Sequence, residues 1–394
     1  MTTIERPRSD IAADEVAVTI VDTDVHPLPV STDIIKSYAP PEWVDKIWPT
    51  GNAKTPLPHF YDTPEAFKTS SMRVDSMPPN GGFAGTDPDF AAKQLLLDAG
   101  VSIAVLEPMC DAKLPQAEHV LKTAHNDWLA DIWLGKNNWH GRWRGSISVS
   151  AQTPAESGRE IERWAGHPYM AEVLITPQTR GIPFGNPHFD PIYEAAARNG
   201  FPVATHLMGQ TPFELIPHYP VGNPAHWHDF FASWPLLYVS HLISLVFDGA
   251  FDRHPDLRVV FVEGGFTWAM PAMSRMDRIW EQRRSDLPHV RRRPSDYVRE
   301  HVYFTTQPLE EVQVGIFREY MDMMDLGDNV MFSTDYPHWS FDAPTWAVHR
   351  FPADQRERIM RGNAMALYGF PETVKALPGE PPRVSAPQPD LAQH

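Results

Sequence analysis

The stretch VAVTIVDTDVHP, residues 16–27, decides the fold. Its first half is a continuous run of apolar and β-branched residues, which reads as a strand buried on both faces. As the run ends, Asp22, Asp24 and His26 fall on alternate positions. Alternate residues of a strand share a face, so these three donors are expected to point together from the end of strand one.

Seven more runs of this kind follow: SIAVLEPM (102–109), RGSISVS (144–150), AEVLITP (171–177), PVATHLM (202–208), LRVVFVEGG (257–265), HVYFTTQ (301–307) and NVMFSTDYP (329–337). With the first, at 16–24, they make eight predicted strands. Amphipathic helical patterns lie between and after them, at 88–100, 116–135, 153–166, 189–200, 236–254, 266–284, 309–324 and 354–369. Strands alternating with helices indicate a parallel sheet. Eight units predict a (β/α)₈ TIM barrel, whose chemistry sits at the C-terminal ends of its strands. An open doubly wound sheet is the alternative, and the count of eight favours the barrel.

Two long insertions break the alternation, 27–87 after strand one and 209–235 after strand five. Both are rich in Pro and aromatic residues (Trp43, Trp48, Phe60, Tyr61, Phe83, Trp227, Phe230, Phe231, Trp234), which suggests lids or the walls of a deep apolar pocket. The expected organisation is an arm at 1–15, the barrel at 16–370 and a mobile Pro-rich tail at 371–394.

The 394 residues carry a formal charge of −16, which argues against a broad nucleic-acid surface. Cys110 is the single cysteine, so neither an intrachain disulfide nor a cysteine metal cluster is expected. No run approaches the ~18 or more apolar residues of a membrane span. The polar start MTTIERPRSDIAADE lacks a signal-peptide core, and a cytoplasmic enzyme with no membrane partner is expected. No GxSxG elbow, P-loop or GxGxxG follows a strand.

Further donors fall at later strand ends: His206 on strand five, Glu263 on strand six, and Asp335 with His338 on strand eight. Each alone has a plain structural reading as a cap, a turn or a hydrogen-bonded residue. Their conjunction at one end of one barrel predicts a metal centre, because imidazole and carboxylate suit Zn, Fe and Mn. Asp22 and His241 add two further candidate ligands, although His241 could equally pack at a helix start. Trp268, Met270 and Met273 are candidates for pocket lining or for core. His254 is expected in a surface turn.

The segments VDTDVH (21–26), ATHLMG (204–209), LVFDGAFDRHPDLRVVFVEGG (245–265), MFSTDYPH (331–338) and RGNAMALYG (361–369) resemble the amidohydrolase superfamily. The resemblance is to its branch of metal-dependent hydrolases and decarboxylases, which includes aminocarboxymuconate semialdehyde decarboxylase. It implies that Asp24, His26, His206 and Asp335 bind metal and that Asp335 also handles a proton. It also implies a homodimer. The chain departs from the usual pattern in having Asp24-Val25-His26 for His-x-His, Glu263 for a His, and no lysine in AEVLITP.

Asp24, Glu263 and Asp335 would bring three negative charges together, with Asp22 as a fourth. One divalent ion would not neutralise them, so two ions (Fe, Zn or Mn) are expected, bridged by Glu263. A carboxylate-rich site repels an anionic substrate. The expectation is therefore a hydrolase using a metal-activated hydroxide on an ester, thioester such as an acyl-CoA, lactone or amide of a bulky apolar acyl group. Asp335 and His338 would serve as its catalytic residues. The alternative is a non-oxidative decarboxylase of an aromatic or enoic acid, and a metal-binding scaffold without catalysis is a third reading.

Overall fold

The computed structural model describes residues 14–48, 72–110, 112, 114–207, 227–310 and 313–380. The run at 16–24 is not one strand but two, Glu15–Ala17 (β1) and Val21–Val25 (β2). From β2 a parallel sheet of eight strands follows in chain order: Ile103–Leu106 (β3), Trp143–Ser148 (β4), Met170–Ile175 (β5), Val203–His206 (β6), Val259–Val262 (β7), Val302–Thr305 (β8) and Val330–Met331 (β9). All eight predicted strand positions are thus occupied. Backbone bonds join the last strand's extension to the first: Thr23 N to Phe332 O at 3.1 Å, His26 N to Tyr336 O at 2.7 Å and Asp335 N to Asp24 O at 3.1 Å. The protein is a (β/α)₈ barrel.

The strand sequences explain the layering. Along β7, Val260 and Val262 belong to the barrel interior, while Val259 and Phe261 belong to the larger core under the helices. Ile103, Leu174, Ala204 and Met331 join the interior from other strands. This is the two-residue period of a strand with an apolar environment on each face. Burying one such side chain contributes about 1.5–3 kcal/mol.

The other end of β1 is a surprise. It pairs antiparallel with Thr373–Lys375 (β10), with Val16 opposite Val374. Val16, Val18 and Val374 pack into the interior cluster and so close the floor of the barrel. The Pro-rich tail expected from 371 therefore begins as part of the fold, and residues 381–394 lie outside the described residues.

Helices cover the barrel where the periodicity places them, with two departures. The helix expected at 236–254 starts earlier, as Trp227–Phe247 with Pro235 inside it, and ends before a left-handed Gly249 and a short helix Ala250–Arg253. A helix at Pro294–His301 has no counterpart in the periodicity. The described part of the first insertion holds helices Thr32–Tyr38 and Pro41–Ile47, and Trp43 and Trp48 pack into the outer core rather than into a pocket. Phe60 and Tyr61, and the side chains of Trp227 and Phe230, lie outside the described residues. Among the described residues no helix is long and apolar enough to cross a membrane.

Candidate active site

Donors from β2, β6, β7 and the turn after β9 meet at the mouth of the barrel. Asp24 Oδ1 lies 2.9 Å from His26 Nε2 and 3.6 Å from His206 Nε2. Asp335 Oδ1 lies 3.1 Å from His26 Nε2, and Glu263 Oε2 lies 2.9 Å from His206 Nε2. All five residues are buried.

Local structure aims them. Glycine is required at Gly85, where φ is +75° and a Cβ would come within 2.6 Å of His26 O. That close approach lets the first insertion lie on the strand end, with Leu28 N donating to Gly85 O at 2.8 Å. Tyr238 ties β6 to β7: its hydroxyl donates to Val262 O at 2.5 Å, sits 3.1 Å from Thr205 O and accepts from Leu207 N. Glu263 and Asp335 both adopt left-handed backbone, with φ of 53° and 61°. Such a conformation costs a non-glycine residue about 1–3 kcal/mol and clusters at working sites.

The imidazoles are held by their far nitrogens. His206 Nδ1 donates to Leu207 O at 2.6 Å, and His26 Nδ1 lies 3.4 Å from Glu107 O. The Nε2 atom of each ring faces the cluster. Asp335 is the most heavily wired member. Its Oδ1 bonds His338 Nδ1, and its Oδ2 accepts from Ser340 Oγ at 2.5 Å and Gln307 Nε2 at 3.1 Å.

Charge follows this wiring. Burial alone would raise Asp335, but His338 and His26 hold it well below the usual carboxylate range. Burial pulls His26 down, yet Asp24 and Asp335 carry it well above the ordinary histidine value. His206 is pushed well below it by burial and by the nearby His26. Burial, then the charges of Asp335 and Asp24, lift Glu263 well above its ordinary range.

The decisive feature is what these atoms lack. Both oxygens of Asp24, Nε2 of His26 and His206, and both oxygens of Glu107 are buried without a hydrogen-bond partner. An unpaired buried polar atom costs about 1–3 kcal/mol. A cation among them removes that cost. Asp24, His26, Glu107 and His206 each offer an atom within 4.8 Å of the others, and His26, Asp335 and His338 do the same. Buried nitrogen and oxygen donors so grouped fit a divalent metal.

Three expected ligands do not join these groups. Glu263, expected as a bridge, stands outside both and meets only the His206 ring of the cluster at close range. Asp22 turns to the neighbouring strand extension, where its Oδ1 accepts from Thr334 N at 2.9 Å and its Oδ2 from Thr334 Oγ1 at 2.6 Å. The register of β2 against β3 shifts between Asp22 and Val25, so strict alternation fails there. Burial raises Asp22 to about 8. His241 has both ring nitrogens occupied, Nδ1 accepting from Phe184 N at 3.2 Å and Nε2 donating to Pro177 O at 2.8 Å. It is a packing residue. Met270 and Met273 line an outer cleft with Ser274, Asp277 and Arg278, and Trp268 packs on Tyr238, Phe261 and Phe304. His254 bonds Asp190 at 2.9 Å.

Sequence reasoning missed Glu107, Gln307, Ser340 and Tyr238. For Glu107 the signal was present: it continues the inward parity of Ile103 as the first acidic residue after an apolar strand. The others act through the geometry of distant segments.

Comparison with known proteins agrees with this geometry. Residues 21–370 match the family model described as Amidohydrolase, and the chain belongs to that family. The gamma-resorcylate decarboxylase of Rhodococcus jostii is 26% identical over 271 residues, 65% of this chain and 79% of that protein. Among solved structures, an amidohydrolase of Mycobacterium avium subsp. paratuberculosis aligns with TM-score 0.67 at 18% identity, covering 90% of this chain and 98% of the other. A 5-carboxyvanillate decarboxylase of Novosphingobium aromaticivorans, solved with manganese and 4-hydroxy-3-methoxy-5-nitrobenzoic acid, aligns with TM-score 0.61 at 18% identity, covering 89% and 96%.

The expected hydrolase, with its ester or thioester of an apolar acyl group, is set aside on this finding, because the gamma-resorcylate enzyme that the chain matches is a decarboxylase. The charge argument behind it counted every carboxylate as free. In the folded chain Asp335 lies against His26 Nε2 and His338 Nδ1, Asp22 is bound to Thr334, and Glu263 lies on His206.

Proposed function

We propose that this member of the amidohydrolase family is a metal-dependent, non-oxidative decarboxylase of a hydroxylated aromatic acid. The observation that carries the reading is the pairing of buried, unpartnered donors on Asp24, His26 and His206 with a fully wired Asp335 at their edge. The relatedness to the gamma-resorcylate enzyme supports the reaction class. Asp24, His26, His206 and Asp335 would hold the metal. His26 belongs to both donor groups, which supports one ion rather than the two expected from the carboxylate count. Manganese in the similar structure supports a hard divalent ion.

When bound, the metal supplies a fixed positive centre for the substrate's acid group and a neighbouring oxygen. Asp335 moves the proton. Because its neighbours hold it as a carboxylate, the proton arrives through His338, which is 14% exposed and links the site to solvent. Asp335 delivers that proton to the ring carbon bearing the carboxylate. The bond from that carbon to the carboxylate breaks, its electron pair returns to the ring, and CO₂ leaves. Gln307 and Ser340 fix the second oxygen of Asp335, so that the transfer needs no rearrangement.

Beside His338 an aromatic wall supports a flat substrate. Phe231 lies 5.4 Å from Trp339 and 4.8 Å from Trp234, ring centre to ring centre. Half-exposed Trp339 offers a face on which an aromatic ring stacks. The homodimer implied by the resemblance is kept as part of this reading, and light scattering tests it.

The test of activity is CO₂ release from a panel of hydroxybenzoates, gamma-resorcylate and 5-carboxyvanillate included, by protein loaded with Mn²⁺. Release that depends on both metal and Asp335 supports the proposal. A metal-loaded protein that releases CO₂ from no member overturns it.

A further inference from the structure

We propose that Glu107 is an additional metal ligand, delivered by β3. The inference rests on the metal centre proposed above and extends its ligand set. Glu107 follows the last residue of β3 and is fully buried. Its backbone is placed by two contacts: its N–H donates to Val25 O at 2.8 Å, and its carbonyl lies 3.4 Å from His26 Nδ1. The peptide therefore touches the Asp24–His26 segment directly.

The side chain is the unusual part. Neither carboxylate oxygen has a hydrogen-bond partner, although the group is wholly removed from water. The other acids of the barrel interior are provided for. Asp22 has Thr334, and Glu172 accepts from Ser146 Oγ and Tyr368 OH, each at 2.7 Å. Glu172 lies against Glu107 and is fastened from its other side, so what it turns to Glu107 is a second acid and not a standing hydroxyl or amide donor. Two acids side by side repel when both are ionised, and a cation beside them relieves that repulsion.

The positive neighbour lies in one direction. An oxygen of Glu107 is within 4.8 Å of the donor atoms of Asp24, His26 and His206. With Glu107 included, β2, β3, β6 and the turn after β9 each contribute to the shell. The ligands then grip the ion from more than one side of the barrel axis.

Calorimetric titration of Mn²⁺ into metal-free protein tests this. Wild type should bind, and Glu107→Gln, which keeps the shape but loses the charge, should bind at least about 100-fold more weakly. Residues that merely support a ligand change metal affinity by about 10–100-fold. A loss smaller than about 100-fold would place Glu107 outside the shell and overturn the inference. Metal-free Glu107→Gln should melt no lower than metal-free wild type, since the amide fills the same space and can donate to Glu172. A lower melting point at unchanged affinity would make Glu107 a structural residue only. If the Gln variant does not fold, Glu107→Ala is judged by the same threshold. Wild type that fails to bind Mn²⁺ would overturn the metal centre itself, and the inference with it.

Discussion

At the floor of the barrel the side chains of Arg142 and Glu380 are both buried, and each charged group has a partner. Arg142 Nε and Nη2 donate to Lys375 O at 3.0 and 2.7 Å, Nη1 donates to Glu380 Oε1 at 3.1 Å, and Nη2 also bonds Glu380 Oε2. At the mouth Asp24, Glu107, His26 and His206 are as deeply buried and hold six side-chain atoms with no hydrogen bond. The same chain thus satisfies the buried charged groups of this pair and leaves those at the mouth open. A protein breaks its local rules where it works, and the difference marks the mouth as the site and the floor as a clasp.

The comparison is broken most severely at Asp335. Asp335→Asn removes the group proposed to carry the proton, and general acid–base groups contribute ~10²–10⁴-fold to rate. Turnover measured by CO₂ release should fall by about that factor or more. A variant that retains a tenth of the rate would remove Asp335 from the mechanism.

Next comes the clasp. Glu380→Ala strands a buried guanidinium, and breaking a buried pair from one side costs about 3–5 kcal/mol. Denaturant unfolding should show that loss, while the rate per folded molecule stays at the wild-type value. An equal loss of activity would mean that floor and mouth are not separate.

His241 sharpens the comparison from the side of packing. Burial lowers its pKa to about 4, against an ordinary value of 6.5. The unfolded chain therefore takes up the proton first as pH falls. The stability that neutral His241 contributes is complete above pH 6.5 and is lost as pH drops toward 4, by up to about 3 kcal/mol. The difference in unfolding free energy between wild type and His241→Gln should shrink over that window. A difference independent of pH would contradict the neutral, doubly bonded ring.

The smallest effect is on the mouth itself. Metal at a hundredfold excess over its dissociation constant stabilises a folded protein by about 2.7 kcal/mol. Chelation should lower the melting temperature accordingly, in wild type but not in Asp24→Ala. An equal drop in both would place the stabilising ion elsewhere.

Much of this was legible in the chain. The apolar runs located all eight barrel strands, because burial on both faces leaves a run that no loop imitates. The donors Asp24, His26, His206, Glu263 and Asp335 stood at strand ends and meet in the fold. Other residues were misread because their partners are remote. Asp22 looks like a ligand until Thr334 is beside it, and His241 until Pro177 and Phe184 close on its ring. Glu107 was passed over as the tail of a strand. The start of the helix at Trp227 was hidden by Pro235, which reads as a breaker but is accommodated within the helix. The reaction was misjudged for a related reason. Formal charges can be counted from a sequence, but their internal partners cannot.

One measurement tests the central claim most directly. Hydroxybenzoates from the panel, labelled with ¹³C in the carboxyl group, are incubated with Mn²⁺-loaded enzyme in D₂O. The account predicts ¹³CO₂ and an aromatic product carrying one deuterium at the carbon that lost the carboxylate, both abolished by Asp335→Asn. Full retention of the ¹³C label in unchanged acid by the loaded enzyme, or label release that Asp335→Asn leaves intact, would contradict it.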